Sequence, residues 1–201
     1  MNDLPQILIM TQLLKIPYFT WRPIKYSYFP KKLFHASKID LNMQAPKLSQ
    51  PKIAFISGPL ESDTDYFNTH YLPLLRHAVE EDHHFIVGPS RGIDTQTRRY
   101  LLHEARILPT RITVFLNVTE ASRLRPEFKS FEASGGKVVV AGRNHTARDV
   151  AMTRASHYDI LRCRTEAKCR ALYGDTYRKR VSGTEKNELR RQQGIGMAWS
   201  G

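Results

Sequence analysis

The chain has 201 residues and 41% of them are hydrophobic, which is enough for one domain-sized core. Two cysteines are too few for a disulfide framework, and no run of about 18 apolar residues predicts a membrane-spanning helix. The net charge of +12 sits at the two ends: residues 1–52 and 161–201 are strongly basic, while acids and bases cancel over residues 53–160.

Residues 1–51 read as a basic, apolar N-terminal extension and linker. The first 40 residues are aromatic, basic and poor in acid, which partly fits a mitochondrial presequence. Arg22 as their one arginine, and their several prolines, speak against it. Met43 stands just before the part expected to fold, so an upstream extension of the reading frame, absent from the mature protein, is the other expectation. Cys163 and Cys169, without Cys or His partners at metal spacing, are expected to be thiols in a reducing compartment. The expected location is therefore cytoplasmic or nuclear, with mitochondrial as the alternative.

Residues 52–175 carry the fold. Ile53 to Ile56 is a short continuous apolar run, as in a strand buried on both faces, and it ends at Ser57-Gly58-Pro59. Phe67, Tyr71, Leu74, Leu75, Ala78 and Val79 recur at helical spacing, with Pro73 as a kink or a first turn. "HFIVG" gives a second strand, and Ile93 to Leu108 a second helix stopped near Pro109. Arg111 to Val118 is a β-branched third strand. A helical stretch is expected from about Thr119 to Ser134, ended by Gly135-Gly136. Lys137 to Gly142 is a fourth strand, followed by a helix with Thr146 as the expected N-cap. "YDILRC" is a candidate fifth strand, and Thr165 to Tyr173 a helix closed by Gly174.

Strand–helix alternation of this length predicts an α/β domain with three layers, a Rossmann-like arrangement around a central sheet of about five parallel strands. Residues 176–201 are expected to be a basic C-terminal tail. Its "SGTEKNELRRQQ" segment has a capping box, Ser182 with Glu185, and reads as an exposed helix. That helix is expected to fold over the strand ends or to mediate self-association, so a homo-oligomer is one expectation.

In a parallel sheet, ligands sit beyond the carboxyl ends of the strands. Three of these ends carry glycine: Ser57-Gly58-Pro59, Gly88-Pro89-Ser90-Arg91-Gly92 and Gly142-Arg143-Asn144. Glycine lets backbone approach a ligand, and a helix starting after the loop points free N–H groups at an anion. Ser90 and Thr95 supply hydroxyls, Arg91 a fork of donors suited to phosphate, and Asp94 a helix-start acid or a partner for a ribose hydroxyl. Each feature has a plainer reading, because a strand–helix turn uses glycine in any case. Gly88 to Gly92 also spells G-x-S-x-G, but too little sheet precedes it and no Asp and His follow in a convincing order.

"GPSRGIDTQTRRYLL" resembles the nucleotide-binding loop of the SLOG superfamily. In its DNA-processing protein A branch a strand, a glycine-rich turn, Gly-Ile-Asp and a helix follow one another. Gly92, Ile93 and Asp94 match that tripeptide, and "IAFISG" is similar to the end of the first strand. The resemblance spans roughly residues 52–142 and implies a phosphate seat on Gly88, Ser90, Arg91 and Gly92. Thr97-Arg98 stand where that branch usually has Ala-His, and the Pro-Gly-Gly-x-Gly-Thr-x-x-Glu motif of the cytokinin-activating phosphoribohydrolases is lacking. "FISGPL" followed by acids is similar, more loosely, to nucleoside deoxyribosyltransferases and deoxynucleotide N-hydrolases. That likeness implies a carboxylate at the sugar and offers Glu61, Asp63, Asp65 and Tyr66 as catalytic candidates. These four also read as an ordinary polar loop and helix start.

Three functions remain open. The chain binds a nucleotide-type small molecule; or it hydrolyses or transfers at an N-glycosidic bond; or it binds single-stranded nucleic acid through its basic ends. No metal site and no cofactor is expected, because His70 and His77 are seven residues apart and no carboxylate triad completes a site.

Overall fold

Ile53–Ser57 forms β1, His84–Val87 β2, Ile112–Leu116 β3, Lys137–Val140 β4 and Tyr158–Leu161 β5. These assignments come from a computed structural model that describes residues 50–199. The presequence reading and most of the expected N-terminal extension lie outside the described residues. All five strands are parallel, in the order β4-β3-β2-β1-β5. Ala54 pairs with Phe85 on one side and Tyr158 on the other, which makes β1 an interior strand. That position explains its unbroken apolar run.

The helices are α1 (Thr64–His70), α2 (Leu72–Glu80), α3 (Ile93–Arg99), α4 (Val118–Leu124), α5 (Lys129–Ala133), α6 (His145–Arg154), α7 (Glu166–Tyr173) and α8 (Gly183–Gln192). From β1 to β4 the chain steps outward one strand at a time, then returns through α6 to place β5 beside β1. Crossovers of one hand put helices on one face for the outward steps and on the other for the return. The core divides accordingly. Ala54, Ile56, Phe85, Val87 and Val114 pack under α1 to α3, against Phe67, Tyr71, Leu75, Ile93 and Leu101. Phe55, Ile86 and Phe115 face the other way, against Met152 of α6. Alternation along each strand thus feeds two apolar layers, and the three-layer α/β domain is compatible with a Rossmann-like fold.

Several boundaries differ from expectation for local reasons. The helix expected across Phe67 to Val79 is two, because Pro73 has no N–H to continue α1 and instead sits in the first turn of α2. The stretch after α3 widens into one π-helical turn, Tyr100–Glu104, closed by Ala105 N–H donating to the Tyr100 carbonyl at 2.8 Å. The helix expected over 119–134 is α4, a 3-10 turn at Arg125–Phe128 that holds Pro126, and α5. Asn144 caps α6 in place of Thr146, its side chain accepting from Ala147 N–H at 2.9 Å.

The C-terminal helix is less exposed than its composition suggests. α8 packs on α6 and β5 and buries Thr184 and Asn187. Arg191 anchors it, donating to Asp159 at 2.7 and 3.1 Å, to Ser156 Oγ at 2.7 Å and to two carbonyls. The Asp159 side chain is only 6% exposed, so it depends on this cation for charge compensation. Replacing Arg191 with Ala is expected to lower stability by about 2–4 kcal/mol. The same change should speed proteolysis between residues 176 and 199. Urea unfolding and limited proteolysis check this, and an unchanged midpoint would show that α8 is held by other contacts.

Candidate functional site

The loop from Gly88 to Gly92 joins β2 to α3 at the carboxyl edge of the sheet. Gly92 has φ +74°, and a side chain there would strike the Pro59 and Leu60 backbone. The loops after β1 and β2 are therefore pressed together, and Ile93 N–H donates to the Pro59 carbonyl at 3.3 Å. Gly58 lies equally close to Ile93 and Tyr71.

Much of the loop's hydrogen-bonding capacity is met from within. Ser90 N–H donates to Asp94 Oδ2 at 3.2 Å, Thr95 Oγ1 to the Ser90 carbonyl at 2.8 Å, and Arg98 to the Gly88 carbonyl. Arg91 pairs with Glu61 at the surface. Asp94 is the unusual member. Its carboxylate takes the place a Gly88 side chain would need, so a larger residue there would have to displace it. It is 9% exposed, and burial pushes its pKa up to about 6 despite the nearby charges of Arg148 and Arg98. A buried acid poised near neutrality is a candidate functional group.

The three glycine-bearing strand ends do not make one continuous crevice. β1 and β2 are neighbours, but β3 separates β2 from β4. Gly142, Arg143 and Asn144 are exposed, and Asn144 serves as the α6 cap. The link between the two regions is Arg148, one turn into α6. Its Nη1 donates to Glu120 at 2.7 Å, while Nη2 and Nε donate to Asp149 at 2.9 and 3.1 Å. Glu120 closes a capping box with Asn117 at the start of α4 and lies 3.1 Å from His145 Nδ1. Asp94 and Glu120 thus sit in the first turns of α3 and α4, where helix dipoles favour anions, while Asp149 lies beyond the first turn of α6. Arg148 is the charge they share.

Residues after β5 roof the other half of this edge. Asn187 of α8, 1% exposed, donates to Ser57 Oγ at 2.8 Å, and Tyr71 donates to the Ser57 carbonyl at 3.0 Å. Arg190 donates to Asn187 Oδ1. Tyr173 at the end of α7 donates to Glu61 at 2.8 Å, and Arg164 donates to the Glu61 carbonyl. The Tyr173 hydrogen bond holds the Glu61 carboxyl below its usual range, with burial opposing it and Arg91 adding to it.

The residue-by-residue outcome is uneven. Asp63 caps α1, accepting from Tyr66 N–H at 2.7 Å, and Asp65 is exposed in the first turn of that helix. Glu61 is clamped by Arg91 and Tyr173, and Tyr66 lies half-buried under Arg164. The edge also gathers Arg98, Glu120, Arg148, Asp149 and Asn187, which sequence reasoning missed. The spacing of Asn117 and Glu120, Asn-x-x-Glu, was a legible cap signal. For Arg148 there was none. Among the described residues no group of three His, Cys, Asp or Glu could hold a metal ion.

No protein-family model, curated protein or solved structure matches the chain.

Asp94 sets a pH dependence whose sign follows from its raised pKa. Between the unfolded value near 3.8 and the folded value of about 6, the native state binds the extra proton. Its contribution to stability is therefore greatest below about pH 4, falls as pH rises to 6, and is flat above that. The span is on the order of 3 kcal/mol. Urea titrations from pH 4 to 7.5 should show that component in the wild type and not in Asp94→Asn. Identical pH profiles would place the titration elsewhere. Arg148→Met leaves Glu120 and Asp149 buried without their cation and is expected to cost about 3–5 kcal/mol by the same measurement.

Proposed function

We propose that the chain binds a nucleotide or nucleotide-derived ligand at the carboxyl edge of its sheet, beside the Gly88–Gly92 loop. The observation that carries this reading is Asp94, a buried carboxylate with a pKa of about 6 packed against Gly88. Strand order reverses between β1 and β5, one strand over from the loop after β2, and open parallel sheets take ligands near such a reversal. Above pH 6 the ionised carboxylate accepts hydrogen bonds, which suits ribose hydroxyls. The charges of Arg148 and Arg98 favour its ionised form through space, and Ser90 N–H donates to its Oδ2. The resemblance to the SLOG loop supports the same reading, since Gly92, Ile93 and Asp94 stand at a helix start directly after a strand.

One observation favours a second reading, hydrolysis or transfer at an N-glycosidic bond. That chemistry needs a carboxylate beside the sugar, and Asp94 is buried while Asp63 and Asp65 are exposed. The role proposed for Glu61, Asp63 or Asp65 then passes to Asp94, which would stabilise or capture the sugar cation.

Thermal unfolding of the full chain with adenosine, other nucleosides, nucleoside monophosphates and ADP-ribose tests the first reading. At a hundred times Kd a bound ligand adds about 2.7 kcal/mol, which raises the midpoint by several degrees. Asp94→Ala is expected to abolish the rise. No shift with any of these compounds sinks the proposal. Release of free base from a shifting compound, lost in Asp94→Asn while binding persists, selects the second reading.

A further inference from the structure

Two donors at the junction of β1 and β5 have no acceptor. Tyr66 OH on α1 and Arg164 Nη1 after β5 are both shut off from solvent and make no hydrogen bond among the described residues. They lie together, with the Arg164 guanidinium 4.8 Å from the centre of the Tyr66 ring. Arg164 reaches this position because its other terminal nitrogen donates to the Glu61 carbonyl, in the loop after β1. A phenol hydroxyl and a guanidinium N–H shut off from water without an acceptor are costly, and native proteins leave few such groups without a reason.

The surroundings are cationic. Arg162 and Arg164 act on the Tyr66 hydroxyl, and Arg162 and Lys168 on His70, which packs edge-on against the Tyr66 ring at 4.7 Å. Glu61, whose backbone oxygen accepts from Arg164, turns its side chain to Arg91 and Tyr173. The cover is light. α7, which meets the β1 loop through Tyr173, buries none of its own residues. An element without buried side chains opens at small cost.

We infer that Arg164 and Tyr66 form an oxyanion subsite for a phosphate group, reached when α7 lifts. A phosphate oxygen supplies the acceptor that both donors lack, and the guanidinium fork suits it. The subsite lies at the strand-order reversal, apart from Asp94. Taken with the proposed function, on which its assignment to a nucleotide phosphate rests, Asp94 receives the sugar and Arg164 the phosphate. The phosphate seat then moves from the Gly88–Gly92 loop, whose Ser90 and Ile93 N–H groups are already engaged.

Calorimetric titration of the full chain with inorganic phosphate, pyrophosphate, adenosine and AMP tests this. Phosphate and pyrophosphate are expected to bind, with affinity reduced roughly tenfold or more in Arg164→Lys and severalfold in Tyr66→Phe. Tyr66→Phe removes only the hydroxyl and keeps the ring, so it decides the matter if the Arg164 variant does not fold. No binding of either anion, or equal affinity in wild type and Tyr66→Phe, overturns the subsite. Adenosine separates the two ideas. If it fails to bind while phosphate binds through Arg164 and Tyr66, the nucleotide reading falls and the oxyanion subsite stands. If adenosine and AMP bind equally and phosphate not at all, the subsite falls and the nucleoside reading stands.

Discussion

The Arg148 guanidinium is the charge on which the carboxyl edge of the sheet depends. It is 6% exposed and bonded to Glu120 and Asp149, and its field reaches Asp94. Three acids from three helices meet there, and without a cation they would repel one another in a medium that screens poorly. A buried ion pair of this kind adds little net stability over a hydrophobic replacement, because desolvating its members is expensive. Its contribution is positional. It ties the start of α6, which lies on one face of the sheet, to α4 and the β2 loop, which belong to the other.

The same arrangement explains why the glycine-rich loop looks different in three dimensions than in one. Read alone, Gly88 to Gly92 is an open nest of N–H groups. In the fold, its Ser90 N–H faces a carboxylate from its own helix, and the first N–H of α3 faces the Pro59 carbonyl. Chain meets chain at both glycines: a side chain at 88 would push on Asp94, and one at 92 would strike the Pro59–Leu60 backbone. Close approach to a ligand and close approach to another segment leave the same signature in a sequence. The two cases differ in what is left over: Ser90 and Ile93 N–H are engaged within the chain, whereas Tyr66 OH and Arg164 Nη1 have no partner among the described residues.

Residues 162–193 carry much of what was illegible. Their composition is polar and basic, and the segment around α8 showed a capping box and few apolar residues. Even so, Asn187 reaches Ser57, Tyr173 reaches Glu61, and Arg191 is fixed to Asp159. Hydrophobic periodicity reports burial driven by apolar surface. It is blind to a helix seated through hydrogen bonds and ion pairs, whose partners stand over a hundred residues away in the case of Asn187 and Ser57.

What the amino-acid sequence determined by itself was the local and repetitive part. Interior strands such as Ile53–Ser57 must be apolar on both faces, prolines must stop or start helices, and strand–helix alternation leads to a parallel sheet. These follow from steric and solvation rules acting over a few residues. Tertiary structure alone decided that β5 lies beside β1, that β3 parts the second and fourth strand ends, and that Arg148 joins them. It also decided which carboxylate is buried. Asp94 and Asp63 both follow a turn and accept a hydrogen bond from a backbone N–H, yet only Asp94 is closed off from water. Burial and charge partnership come from packing between distant segments, and no short window of sequence contains both sides of such a contact.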